Sequence, residues 1–192
     1  MGWAVFEDVP DEDAWRNCTT LEGACELTAR WLEGSFRYVP GYRVQQPAGQ
    51  PGPMSQALAD INRLGFLTDD SQPGAAISGG YGQRAFVTGR CSEQSAATIS
   101  ALLVETELVV LVFPPGESGS GQICVTLEAD REFTWLGRSG GPSYSLEAYS
   151  DWSNETLAKA LVDCFELQIF DPVWGRNSKL MPALQAALAA VG

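Results

Sequence analysis

INRLGFLTDDSQPGAAISGGYGQRAFV, running from Ile61 to Val87, is the stretch whose reading decides the fold. Leu58, Ile61 and Asn62 belong to the last turns of a helix, and Gly65 stands where a left-handed C-cap belongs. Phe66 and Leu67 open an extended run, which gives way to an irregular polar loop, Thr68-Asp69-Asp70-Ser71-Gln72-Pro73-Gly74. A second strand follows over Ala85–Gly89, with Phe86 and Thr88 facing away from Ala85 and Val87. A loop holding hydroxyls, carboxylates and an amide, fixed at both ends by regular elements, is where ligands are commonly read. The structural alternative is a plain helix-to-strand connection with solvated Asp and Ser. Arg84, placed beside this acidic loop, is expected to pair with Asp69 or Asp70.

On the N-terminal side, residues 1–19 read as an acidic and aromatic arm, and residues 20–192 as one domain. Leu21, Ala24, Cys25, Thr28, Trp31 and Leu32 recur at helical spacing from about Thr20 to Glu33, and Gly34 ends that helix. Val44–Met54 is a loop rich in Gln, Pro and Gly, after which Ser55 caps a helix running to about Leu64. On the C-terminal side, Ser92 caps a short Ala/Ile/Leu helix. The strand LVVLVF that follows is apolar throughout and reads as a central strand buried on both faces. Gln122–Leu127 and Glu132–Leu136 form two strands joined by a turn at Asp130-Arg131. Ser145–Trp152 is a short helical or irregular piece, and Ser153 caps the helix through Ala158, Leu161 and Val162. Phe165–Phe170 is a strand, Asp171–Asn177 a structured turn, and Pro182–Val191 a closing helix. The fold class is α+β: a mixed, mainly antiparallel core of six to nine strands flanked by four to five helices.

Composition limits the functions open to such a domain. The chain has 192 residues, 45% of them hydrophobic, which suffices for a core without covalent staples. Its net charge of −12 carries no basic cluster, so phosphate neutralisation on nucleic acid or on an anionic membrane is disfavoured. A cationic ligand or a basic protein partner fits the field better. There is no histidine, and the five cysteines form no CxxC pair, which argues against zinc sites and histidine-based triads. Reduced, buried thiols and the absence of a leader or a long apolar run predict a cytoplasmic protein. PPGESGSG, residues 114–121, lacks the GK[ST] and the following helix of a phosphate loop.

The LTxxSQP core, preceded by INRxG and followed by GGYxQRA, resembles the C-terminal regulatory domain of eukaryotic methylenetetrahydrofolate reductase. The likeness extends from about Thr28 to Leu188. It implies the fold of that domain without the catalytic barrel, and a binding site for S-adenosylmethionine. On this resemblance the ligand residues are Thr68, Asp69, Ser71 and Gln72 of the loop, Gln83 before the next strand, and the Thr134-Trp135 pair. Asp171, Trp174, Asn177 and Leu180 match a strand-to-helix corner, which Trp174 and Asn177 either fix or use to reach a ligand. An acidic residue and a threonine of the family's site fall at Gln50 and Pro51 and are not retained. GFxTxxSQPG and DPVWGRN are also similar to strings in small uncharacterised actinobacterial proteins.

Three functions follow as expectations. The first is a stand-alone, non-enzymatic sensor or sponge binding S-adenosylmethionine, S-adenosylhomocysteine or a related adenosine compound, with no required cofactor. The second is a protein-interaction module of the same fold that acts on a basic partner. The third is an enzyme on an adenosyl compound, with Asp69, Asp70 or Glu107 as its acid or base.

Overall fold

A computed structural model describes residues 10–40, 52–139 and 155–191. Along the chain these form α1 (Pro10–Arg16), α2 (Leu21–Leu32), α3 (Pro53–Arg63), β1 (Leu67–Gln72), β2 (Ala75–Ser78), β3 (Tyr81–Gln83) and β4 (Phe86–Cys91). The order continues with α4 (Glu93–Leu103), β5 (Val109–Phe113), β6 (Ile123–Glu128), β7 (Arg131–Leu136), α5 (Glu155–Val162), β8 (Phe165–Phe170) and α6 (Leu180–Ala189). The expected piece at Ser145–Trp152, the Ser153 cap and the positions Gln50 and Pro51 lie outside the described residues.

Two four-stranded sheets result, ordered β1-β4-β8-β5 and β2-β3-β6-β7, and every pairing is antiparallel. The fold is α+β, as expected, with six helices among the described residues rather than four or five. Period-two alternation sets the layers. Val87, Cys91, Leu167, Ile169 and Val110 pack with the apolar faces of α2 to α6 in the main core. Phe86, Phe170, Val109 and Leu111 point the other way and meet Val125, Leu136 and Ile123 of the second sheet. The order of layers is therefore helices, first sheet, second sheet.

The polar segment after Gly65 is a strand, not a loop. Gly65 takes φ +88°, and its amide returns to Asn62 O, so the helix does end where its sequence says. The extended run then continues through Gln72, paired with β4 from Leu67↔Arg90 to Gln72↔Phe86. Asp and Ser have little intrinsic strand preference, but the ladder to β4 outweighs it. A bulge between Thr68 and Asp70, together with two carboxylates, suits an edge strand that must not recruit another chain.

LVVLVF is likewise displaced from its expected place. β5 is an edge strand, and the central strands are β4 and β8. Its continuous apolar character reflects a layer on each face, the helices against Val110 and the second sheet against Val109 and Leu111. At the N-terminus, the part of the expected arm from Pro10 onward is a helix whose Trp15 is fully buried and donates its indole N–H to Tyr38 O at 3.1 Å. α3 begins at Pro53 with Gly52 at its N-cap, three residues before the expected cap Ser55, because proline is favoured in a first helical turn.

Candidate functional site

The chain leaves the first sheet after β1, forms the β2–β3 hairpin in the second sheet, and returns to the first as β4. Gln72 sits at the departure point, and all the hydrogen-bonding capacity of its amide is spent there. Its Nε2 donates to Arg84 O at 2.9 Å and Val125 O at 3.0 Å. Its Oε1 accepts from Gln83 Nε2 at 3.2 Å and from the Thr126 hydroxyl at 2.9 Å. Three separate segments, around Gln72, Gln83-Arg84 and Val125-Thr126, are thus joined through one side chain.

A second knot lies beside it. Asn177 accepts from Gly74 N at 2.7 Å and donates to Gly74 O at 2.9 Å, although the two residues are 103 apart in sequence. Gly175 N donates to Gln83 O, and Asp171 N to Ala85 O. Asp171 is fully buried and takes a bidentate grip from Arg176, with Nε at 2.6 Å and Nη2 at 2.8 Å. Arg176 also donates from Nη1 to Glu107 at 2.7 Å. The SQPG and DPVWGRN strings are therefore the two halves of one junction.

Above this junction, the first turns of α3 and α6 leave a groove of about 530 Å³. Pro53, Met54 and Ala57 form one wall, and Leu180, Met181 and Pro182 the other. Gln72, Pro73 and Asn177 lie at its base, and Gln185 at its side. Two of the protein's three methionines converge here, where their flexible thioethers give adaptable walls. A half-open, mostly apolar space of this size with a few amide groups has the make-up of a small-molecule site.

The residues expected to bind ligand are placed as follows. Thr68 accepts from Asn62 Nδ2 at 2.8 Å and donates its amide to Asn62 Oδ1, so it ties β1 to the helix before it. Asp69 lies in the bulge and pairs with Arg90 at 3.5 Å. Ser71 N donates to Asp70 Oδ1 at 2.7 Å. Gln83 is bonded to Gln72. Thr134 lies in β7, opposite Thr126, while Trp135 is 43% exposed and donates its indole N–H to Glu132. Of the seven, only Gln72 lines the groove.

Arg84 pairs with neither Asp69 nor Asp70. Its guanidinium lies 4.5 Å from the Trp174 ring centre, and Nη1 donates to Cys124 O. The cation reaching Asp69 is Arg90, which is nearly buried and also meets Glu166 at 3.6 Å. Glu166 accepts in turn from Ser139 and Gln168. Asp69 and Glu107, two of the candidate acids, are thus held by different arginines.

All five cysteines are free thiols. Burial pushes the Cys91 thiol up to about 12 and that of Cys164 to about 11, and it raises Cys18 and Cys25 as well. These four are core groups that stay protonated at neutral pH, not activated nucleophiles. Among the described residues, no group of three or more Cys, Asp or Glu is arranged to hold a metal ion, and no helix is long and apolar enough to cross a membrane.

Sequence reasoning missed the groove walls, Pro53, Met54, Ala57, Met181 and Gln185. The available signal was the pairing of Met with Pro at two helix starts, Pro53-Met54 and Met181-Pro182. It also missed Asn62, which is fully buried and holds Thr68.

The family described as Domain of unknown function (DUF6919) matches residues 10–191, and the chain belongs to it. No curated protein matches the sequence.

Proposed function

We propose, for this member of a family described as a domain of unknown function, that it is a small-molecule-binding module whose ligand lies in the groove between α3 and α6. One observation carries the reading. The two most distinctive strings of the sequence, SQPG and DPVWGRN, meet at the base of a preformed apolar groove. The junction beneath is saturated with hydrogen bonds and therefore rigid, whereas the methionine walls are adaptable. A rigid floor under soft walls suits a molecule with a flat ring to bury. An adenosine-type compound, S-adenosylmethionine or S-adenosylhomocysteine among them, is the class to which the sequence resemblance points.

In this reading the binding energy comes from burying the ligand's rings against Met54, Ala57, Leu180 and Met181. Gln72 shapes the floor and does not read the ligand's edge, since its amide is fully engaged. Occupancy would draw the starts of α3 and α6 together, the movement expected of a sensor.

The test is isothermal titration with adenosine, S-adenosylmethionine and S-adenosylhomocysteine. It compares the parent protein with Ala57→Trp, which fills the groove, and with Trp135→Ala, which lies outside it. The expected result is binding by at least one compound, lost in Ala57→Trp and kept in Trp135→Ala. Absence of heat and of thermal stabilisation with all three compounds would retire the adenosine class. Unchanged binding by a folded Ala57→Trp protein would remove the ligand from this groove.

A further inference from the structure

The second sheet ends at β7, which pairs with β6 alone among the described residues. The outer side of the strand therefore offers unpaired N–H and C=O groups. Edge strands are commonly guarded by charged side chains, bulges, proline or a covering segment. β7 carries charge and a bulge, as β1 does, but unlike β1 it also presents two aromatic rings, Phe133 at 60% exposure and Trp135 at 43%. The pairing steps from Thr126↔Thr134 to Leu127↔Glu132, which leaves Phe133 as the extra residue of a bulge. Such a bulge re-aims a side chain, and here the ring stands in solvent.

Charge surrounds these two rings. Glu128, Asp130 and Glu132 are all exposed on the β6–β7 hairpin, against the single cation Arg131. The indole N–H of Trp135 is bonded to Glu132 Oε2 at 2.9 Å, which fixes a carboxylate at the edge of the ring. A cation over the face of that indole is attracted by the ring and by the neighbouring carboxylates together. The protein as a whole carries 24 acidic residues against 12 basic ones, so the wider field has the same sign.

We infer that the outer edge of β7 is a docking strip for an extended, lysine- or arginine-bearing segment of a partner protein. The partner's backbone adds to the open ladder, and its basic side chains lie against Phe133, Trp135 and the hairpin carboxylates. A second copy of this chain is the poorer occupant. Self-pairing would join two strips with the same excess of carboxylates and would supply no lysine to either. This surface is separate from the groove between α3 and α6 and does not depend on any ligand there.

The experiment is fluorescence polarisation with a labelled peptide of alternating lysine and valine, about eight residues long to match a strand addition. The alternating glutamate–valine peptide serves as control. The expected result is binding of the lysine peptide only, weakened at least about tenfold by Trp135→Ala and by Glu132→Lys. Both positions are exposed, and circular dichroism of the variants checks that they fold. Equal binding of the two peptides, or variants that bind the lysine peptide as well as the parent does, would overturn the inference. Sedimentation showing a dimer that Phe133→Ser and Glu132→Lys dissolve would also overturn it, by giving the strip to a second copy.

Discussion

Replacing Gln72 separates a structural staple from a ligand contact. Gln72→Met keeps a side chain of similar length and removes all four hydrogen bonds at the crossing between the sheets. At a net value of about 0.5–1.5 kcal/mol each, those bonds total roughly 2–6 kcal/mol. Val125 O keeps its bond from Arg84 N, and Gln72 is only half-buried, so water recovers part of the loss. The Thr126 hydroxyl, on a residue 4% exposed, is stranded. A loss of about 3 kcal/mol is expected, read from urea unfolding, with a fall in Tm of roughly 6–12 °C for a domain of this size. Gln72→Glu keeps both acceptor bonds but turns a carboxylate oxygen toward the carbonyls of Arg84 and Val125. Its defect should shrink as the pH falls, because the protonated acid donates again. A Gln72→Met protein less than about 1 kcal/mol below the parent would refute the staple. If that variant also lost ligand binding, the side chain would be a contact after all.

Two further outcomes test the frame around the site. Gly89→Ala should cost at least about 1–3 kcal/mol in urea unfolding, because a Cβ there overlaps the Leu67 carbonyl and the Phe66 ring and must push β1 off β4. Trp15→Ala should cost about 3–5 kcal/mol on the same assay, since the ring is fully buried and bonded to Tyr38 O; a loss near zero would return this segment to the status of a loose arm.

What could be read in the sequence was local chemistry. Gly65 and Ser92 end and begin helices where they should, because a left-handed turn and an N-cap hydroxyl act within a few residues. Phe86 and Val87 face opposite layers, as strand alternation requires. The rank of strands within a sheet was not readable. VVLVF is more apolar than FVTGRC or FELQIF, yet the latter two occupy the centre. Their Thr88, Arg90, Glu166 and Gln168 face the second sheet, and Asp69 of β1, Ser139 and the Gly137 amide serve Arg90, Glu166 and Gln168. Partners far off in sequence make such polar residues admissible, so hydropathy alone ranks the strands in the wrong order. LTDDSQ was misread for the same reason, since its strand state depends on β4. At the candidate site, Gln72 and Asn177 stood out as motif residues, but a groove built from two helix starts far apart in the chain leaves no periodic trace.

The position of β8 between β4 and β5 has a consequence during synthesis. Neither neighbour can complete its ladder on that side until the last quarter of the chain exists. After Phe113 leaves the ribosome, about fifty more residues must be made before β8 begins to leave it too, roughly 3–10 s at ordinary elongation rates. For that interval VVLVF has no strand on either side, and the nascent chain presents an apolar, uncharged segment of the kind that chaperones retain. Truncation before Phe165 should therefore yield not a smaller domain but an aggregating chain, and the commitment to fold waits on β8.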